Sequence, residues 1–280
     1  MSVIRSLLRS TPLVVFGSTA ARARELHSVD EMVRVPIPLS RRIGFVQMRG
    51  GAGASSTAAY IANLLARRRE GPVLAVDASG GENGMLWHTG LPHTAEQRSS
   101  RRRAGARRAA DAVDGLPLTA SGLWTLSIAA PHAAGAAPTD AWFDQCSPIS
   151  RFFELVITDW GVRDPRVDLS GVVAASHVLC LVARADRHSA EQTLAVIEAI
   201  RREDNPPAVV VALTDVGSTG IGSSDLERAA VNASIHVIPY DLARASARPL
   251  SSPALATRTR LAYGRLARDL IAVATVGATS

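Results

Sequence analysis

Ile43-Gly44-Phe45-Val46 runs into Arg49-Gly50-Gly51-Ala52-Gly53-Ala54-Ser55-Ser56, and a helical pattern follows from Ser55 to Arg69. An apolar strand, a glycine-rich turn and a helix in that order gather backbone N–H groups and a helix N-terminus around one point, the arrangement that cradles phosphate. The usual phosphate loop places a lysine just before its Ser or Thr, where the ammonium reaches the β and γ phosphates. Here that position is Ala54, and no lysine elsewhere can stand in, because all 31 residues of the Lys+Arg count are arginine. Two readings of the loop stay open: a nucleotide site, and a glycine turn kept for strand–helix packing.

Outward from the loop, β-branched runs alternate with helical patterns. Strands are expected at Ile43–Gln47, Val73–Val76, Leu123–Ala129, Leu155–Thr158, Val178–Val182, Val209–Leu213 and Ile235–Ile238. Helices fit Ser55–Arg69, a short stretch after Glu82, Ala190–Arg202, Ser224–Ala230 and Ala254–Ala272. Apolar strands without polar alternation are covered on both faces. The expected fold is therefore α/β: a doubly wound, mostly parallel sheet with helices on both faces.

A chain of 280 residues, 47% hydrophobic, can bury one sizeable core. We place that domain at 41–273, after a flexible extension over 1–40 that ends in Val35-Pro36-Ile37-Pro38 and before a tail at 274–280. Within residues 1–16 the apolar Val3, Ile4, Leu7 and Leu8 are interrupted by Arg5 and Arg9, which suits a short amphipathic helix better than a signal peptide. No run reaches the roughly 18 apolar residues of a spanning helix. Cys146 and Cys180 lack any zinc or disulfide spacing and read as reduced thiols of a cytoplasmic protein.

The net charge of +6 is carried by guanidinium alone. Much of it sits in an insertion near 94–112, where Arg98, Arg101, Arg102, Arg103, Arg107 and Arg108 crowd together. A solvated, mobile segment is one reading, and contact with the DNA backbone or an acidic partner is the other. Base stacking is excluded, since no aromatic is interleaved. The seven histidines form no HExxH pattern, and no GxSxG elbow surrounds Ser55 or Ser56, which argues against metalloprotease and acyl-transfer chemistry. Leu255, Leu261, Leu266 and Leu270 make a stripe in the last helix that suits docking on a sheet better than peripheral membrane association.

Three later segments end in a carboxylate: Val73-Leu74-Ala75-Val76-Asp77, Leu155-Val156-Ile157-Thr158-Asp159 and Val237-Ile238-Pro239-Tyr240-Asp241, with Trp160-Gly161-Val162 expected to turn the chain after the second. Carboxylates at strand C-termini of an α/β sheet face the crevice where ligands bind, so Asp77 and Asp159 should lie near the loop. Asp77 reads equally well as a helix cap.

In this order the segments resemble the MinD/ParA family of deviant Walker A P-loop ATPases, from about Arg42 to Ala272. The family loop KGGxGK(T/S)(T/S) is matched by Arg49 to Ser56 at the glycines and hydroxyls, Asn63-Leu64-Leu65-Ala66 resembles the helix motif that follows, and Phe153 to Asp159 looks like the Walker B strand. Pro239-Tyr240-Asp241 is similar to the segment lining the adenine pocket. The wording from Ile37 to Ile43 also resembles actinobacterial members associated with type VII secretion loci. The resemblance implies ATP or ADP with Mg²⁺ as ligand, bound by Arg49, Gly50, Gly51, Ala52, Gly53, Ala54, Ser55, Ser56, Pro239, Tyr240 and Asp241, with Ser55, Asp77 and Asp159 around the metal. It further implies a homodimer that positions or assembles machinery in division or secretion through protein partners, in the cytoplasm or recruited to the membrane by them.

The departures bear on chemistry. The first loop lysine of the family, which reaches the partner's nucleotide across a dimer, is Arg49; the second is Ala54; the switch aspartate two residues after the strand-end carboxylate is Ser79. Phosphoryl transfer is mostly positioning and charge stabilisation, so losing both groups should cost several powers of ten in rate. The expectation is a weak or inactive ATPase that retains nucleotide binding. Two alternatives are an active ATPase in which Arg49 replaces the lysine, and a ParA-like DNA-binding partitioning protein that uses the arginine insertion.

Overall fold

Seven strands pair in parallel in the order β3-β2-β4-β1-β5-β6-β7 in a computed structural model that describes residues 19–81, 83–91, 97–98, 101–129, 135–217, 233–246, 249 and 254–276. They are β1 (Arg41–Gln47), β2 (Val73–Asp77), β3 (Leu123–Ser127), β4 (Leu155–Val162), β5 (Val178–Arg184), β6 (Ala208–Thr214) and β7 (Ser234–Ile238). The strand order reverses around β1, whose neighbours are β4 and β5, and the glycine loop leaves the C-terminal end of β1 at that reversal. Open α/β sheets bind ligands at such a point.

The sheet separates two cores, and strand alternation assigns residues to them. In β5, Val178, Cys180 and Val182 face one layer while Leu179, Leu181 and Ala183 face the other. The first layer holds α1 (Thr19–Arg34), α2 (Ala54–Arg68) and the long C-terminal helix α11 (Thr257–Val276). α2 buries Tyr60, Ile61 and Leu65 there, and each such side chain contributes about 1.5–3 kcal/mol relative to exposure. The second layer is covered by α6 (Thr139–Gln145), α7 (Ser147–Ser150), α8 (Leu169–Ala174) and α9 (Arg187–Ile200). Between β2 and β3 lie three single-turn helices, α3 (Met85–His88), α4 (Arg101–Ala104) and α5 (Ala109–Ala112), and α10 (Leu242–Ala245) follows β7.

The folded unit starts earlier than Arg41. α1 covers residues expected to be a flexible lead-in, and Val29, Val33 and Ile37 join the first core. The reason is an arginine. Arg69, just past the end of α2, donates from Nη1 to the Val33 carbonyl, from Nη2 to the Val35 carbonyl and from Nε to Glu154 Oε2 at 3.1 Å. It also ion-pairs with Glu154, whose Oε1 accepts from the Ile37 N–H at 3.2 Å. The Pro-rich stretch before β1 is thereby held on a buried ion pair. At the other end, α11 runs through Val276 with Ala274 buried, so part of the expected tail is helix.

Two further expectations change. β4 continues through Val162 instead of turning after Asp159, because Gly161 takes φ 67° and lets the strand bend past Ser79, whose Cα would lie 2.8 Å from a Cβ at that position. In the arginine insertion, Arg103 is buried and donates to the carbonyls of Arg98 and Asp114 at 3.1 and 3.0 Å, so it is a structural clasp and not a phosphate contact. Arg98, Arg101, Arg102, Arg107 and Arg108 are exposed. Part of the insertion is tied down: Arg151 donates to the Ala106 carbonyl and Gln97 exchanges hydrogen bonds with the Ser127 backbone. The expected helix at Ser224–Ala230 and the amphipathic stretch in 1–16 lie outside the described residues, as do parts of the insertion. No helix among the described residues is long and apolar enough to cross a membrane, and α11 turns Leu266 and Leu270 into the core.

Candidate phosphate-binding site

Gly51 and Gly53 both adopt positive φ, 80° and 81°, which lets the chain double back from β1 into α2. Above Gly50 and Gly51 the space is open, since a Cβ on either would meet nothing within 4 Å. The turn is clamped from below. Thr214 at the end of β6 donates its hydroxyl to the Ala52 carbonyl, and the Ser56 hydroxyl donates to the Gly53 carbonyl at 3.0 Å. α2 begins at Ala54 with no side-chain cap and no acidic residue in its first turn. Its first N–H groups therefore lack intrahelical partners and carry the positive end of the helix dipole.

Alanine is packed into the loop. Ala54 is fully buried and its N–H points to Gln47 Oε1 at 3.4 Å. Arg49 is exposed and lines a small hollow with Arg184, Ser189 and Gln192 on the β5 and α9 side.

The two strand-end carboxylates are brought together, as neighbours in register across β2 and β4. Their surroundings differ. Asp77 accepts from the Ser79 N–H at 3.0 Å and hydroxyl at 2.6 Å on one oxygen and from the Leu86 N–H at 3.1 Å on the other. It closes the turn after β2 and caps α3, and Gly84 is required beside it because a Cβ there would stand 2.4 Å from Oδ2. Asp159 is fully buried; Oδ1 accepts from the Gly161 N–H at 3.0 Å and Oδ2 has no hydrogen-bond partner. Burial, and next the Asp77 charge, push its carboxyl up to about 7, against the pull of the Ser55 hydroxyl, the Gly161 N–H and the Ser79 hydroxyl. An orphaned buried carboxylate oxygen beside a hydroxyl suits a divalent cation.

Pro239-Tyr240-Asp241 leads from β7 into α10 at the same end of the sheet. Asp241 is buried and caps α10, accepting from the Ala243 N–H at 3.0 Å, and its other oxygen accepts from the Ala256 N–H at 2.9 Å. Burial works to raise its pKa, but the Thr259 hydroxyl, these two N–H groups and the Arg244 charge together hold the carboxyl below its ordinary value. Sequence reading passed over Arg244 itself. It lies on a one-turn helix outside every motif, yet its guanidinium reaches the loop: Nη2 is 2.9 Å from where a Cβ on Gly53 would stand. Behind it Tyr263 and Tyr60 stack at 4.4 Å between centroids.

No known family model matches the chain, and no curated protein matches it in sequence. Solved structures match its fold over most of its length. A ParA family ATPase from Chlorobium tepidum TLS superposes with a TM-score of 0.58 at 18% identity, over 86% of this chain and 98% of that one. A chain of the MinC:MinD cell division protein complex of Aquifex aeolicus gives 0.61 at 17%, over 83% and 96%. The septum site-determining protein MinD of Pyrococcus horikoshii OT3, complexed with Mg-ADP, gives 0.57 at 17%, over 81% and 94%. Identities this low speak for architecture alone. An all-parallel sheet in this order, with the glycine loop at its reversal and two strand-end carboxylates beside it, has the MinD/ParA-like P-loop NTPase fold.

Proposed function

We propose that the chain binds ADP or ATP with Mg²⁺, turns ATP over weakly or not at all, and acts through protein partners, as a homodimer, in positioning or assembling a larger machine. The observation that carries this reading is the contrast inside the site. An uncapped α2, a glycine turn open to one side and the unpartnered Asp159 oxygen all favour an anion with a cation. The groups that would drive hydrolysis are replaced by Ala54 and by Ser79, whose hydroxyl is spent on Asp77.

Ser55 and Asp159 would hold the Mg²⁺, with Asp77 outside it because both its oxygens are taken. The ion supplies charge neutralisation on phosphate oxygens. The chain's own residues orient the phosphates through backbone N–H groups of Gly51 to Ser55 and the α2 dipole. Calorimetric titration with Mg-ADP and Mg-ATP, beside a phosphate-release assay, tests the reading. We expect binding with release at background; no binding at millimolar nucleotide overturns it, and release abolished by Arg49→Ala would favour the active-enzyme alternative.

Five exposed arginines in the insertion keep the duplex-binding alternative alive without Arg103. Salt-sensitive DNA binding that vanishes when Arg101 and Arg102 are neutralised would favour it. Division or secretion genes beside the coding sequence would separate the two pathways.

A further inference from the structure

A cation of unexplained placement lies at the loop. Arg244 Nη2 stands 2.9 Å from the point where a Cβ on Gly53 would lie, and that point is 3.3 Å from Ser56 Oγ and 4.0 Å from Thr214 Oγ1. The guanidinium, the first turn of α2 and the end of β6 thus converge on one spot. Among the described residues Arg244 forms no ion pair, and its Nε is buried without a hydrogen-bond partner. Asp241 feels its charge but makes no ion pair with it, its two oxygens accepting from the Ala243 and Ala256 N–H groups.

The side chain is also held in place. Its Cζ lies 5.8 Å from the Tyr263 ring centroid, and Tyr263 is backed by the Tyr60 stack. Its charge reaches His88, whose imidazole is pushed down to about 4 by burial first and by Arg244 second. A partly buried guanidinium whose Nε has no hydrogen-bond acceptor is a group that a ligand can complete. The planar fork matches phosphate oxygens, which a hydroxyl or backbone N–H alone neutralises less well.

We infer that Arg244 supplies, from the segment after β7, the positive charge that Ala54 leaves out of the loop, and that it binds the phosphate-bearing part of a nucleoside di- or triphosphate. This rests on the nucleotide-binding reading above. The loop's loss of lysine is then a relocation of charge: the cation comes from a part of the chain some 190 residues downstream (Ala54 against Arg244), after the edge strand β7.

The test is calorimetric titration of wild type, Arg244→Ala and Arg244→Lys with Mg-ADP, Mg-ATP and AMP, each apoprotein's melting point being recorded alongside. Where Arg244→Ala fails to fold, Arg244→Met keeps the stem packed on Tyr263 and replaces it. We expect removal of the guanidinium to weaken ADP and ATP by about tenfold or more, to leave AMP much less affected, and Arg244→Lys to recover part of the loss. ADP binding as tight as wild type, or tighter, in Arg244→Ala overturns the inference, the tighter case meaning that the guanidinium blocks the site. Wild type that binds no nucleotide fails the nucleotide-binding reading itself, a result the variants cannot mimic.

Discussion

Two charged clusters, Arg69 with Glu154 at one end of the sheet and Asp159 with Arg244 at the other, are built on opposite terms. At the N-terminal end of the strands, Arg69 and Glu154 form a buried pair in which the guanidinium also serves two backbone carbonyls and the carboxylate also accepts an N–H. At the C-terminal end, Asp159 Oδ2 and Arg244 Nε are buried and have no partner. Both ends commit charge to a low-dielectric interior, where an unpaired group is expensive. The Arg69–Glu154 pair satisfies its charges internally and holds the chain together. The other cluster leaves them open beside a glycine turn, as a site waiting for a ligand does.

The largest effect should come from breaking the satisfied end. Arg69→Ala leaves the part-buried Glu154 without its cation and frees the Val33 and Val35 carbonyls, so we expect a loss of about 3 kcal/mol in denaturant unfolding, the low end for breaking a buried pair. The α1 segment should also become protease-sensitive, since the links of Arg69 to Val33 and Val35 hold it to the body. A loss below about 1 kcal/mol, the size of a surface pair, would remove the contrast between the two ends.

The second test separates two carboxylates that share one end. Asp77 holds three donors, and Asp77→Ala should cost about 1–3 kcal/mol because the Leu86 N–H and the Ser79 turn lose their acceptor. Asp159→Asn should do the reverse in the ligand-free protein, holding or raising the melting point by removing a buried charge. The same change should weaken Mg-nucleotide and leave metal-free binding nearly intact. Destabilisation by both substitutions would mean that Asp159 is as structural as its neighbour.

What the sequence disclosed divides along the same line. The loop, the strands and the placing of Asp77 and Asp159 near the loop follow from local patterns, glycine-rich turns and apolar runs ending in a carboxylate, which single stretches of chain carry, whereas the pairing of Asp77 with Asp159 comes from the sheet. The role of Asp77 was visible only as an even choice, because a cap and a metal-shell position look alike until Leu86 is placed. α1 was missed because its apolar residues are few, with Val29 and Val33 separated by polar ones, and its stability comes from α11 and Arg69, far away in sequence. Arg244 carried no signal at all. Its meaning comes from proximity to Gly53, which no spacing encodes.

The smallest effect sharpens the comparison by showing that charge pairing alone does not anchor α1. Arg265 pairs with Glu25 between α11 and α1, and Asp30 pairs with Arg34 and Arg68, all at least partly open to solvent. The Arg265 hydrogen bond holds Glu25 below its ordinary 4.5, and the Arg34 hydrogen bond, with Arg68, holds Asp30 below 3.8. A carboxylate depressed in the folded state stabilises above its unfolded pKa, and that contribution is lost as pH falls through the folded value. These pairs should therefore act at neutral pH and fade below about pH 4, in the window where such carboxylates protonate. Solvent screening limits each to about 0–1 kcal/mol, so Arg265→Ala should shift the unfolding midpoint slightly at low salt and not measurably in molar salt. The Arg69→Ala loss should persist in that same salt, because a buried pair is screened far less, and equal salt sensitivity in the two variants would show that the Arg69 pair is open to water.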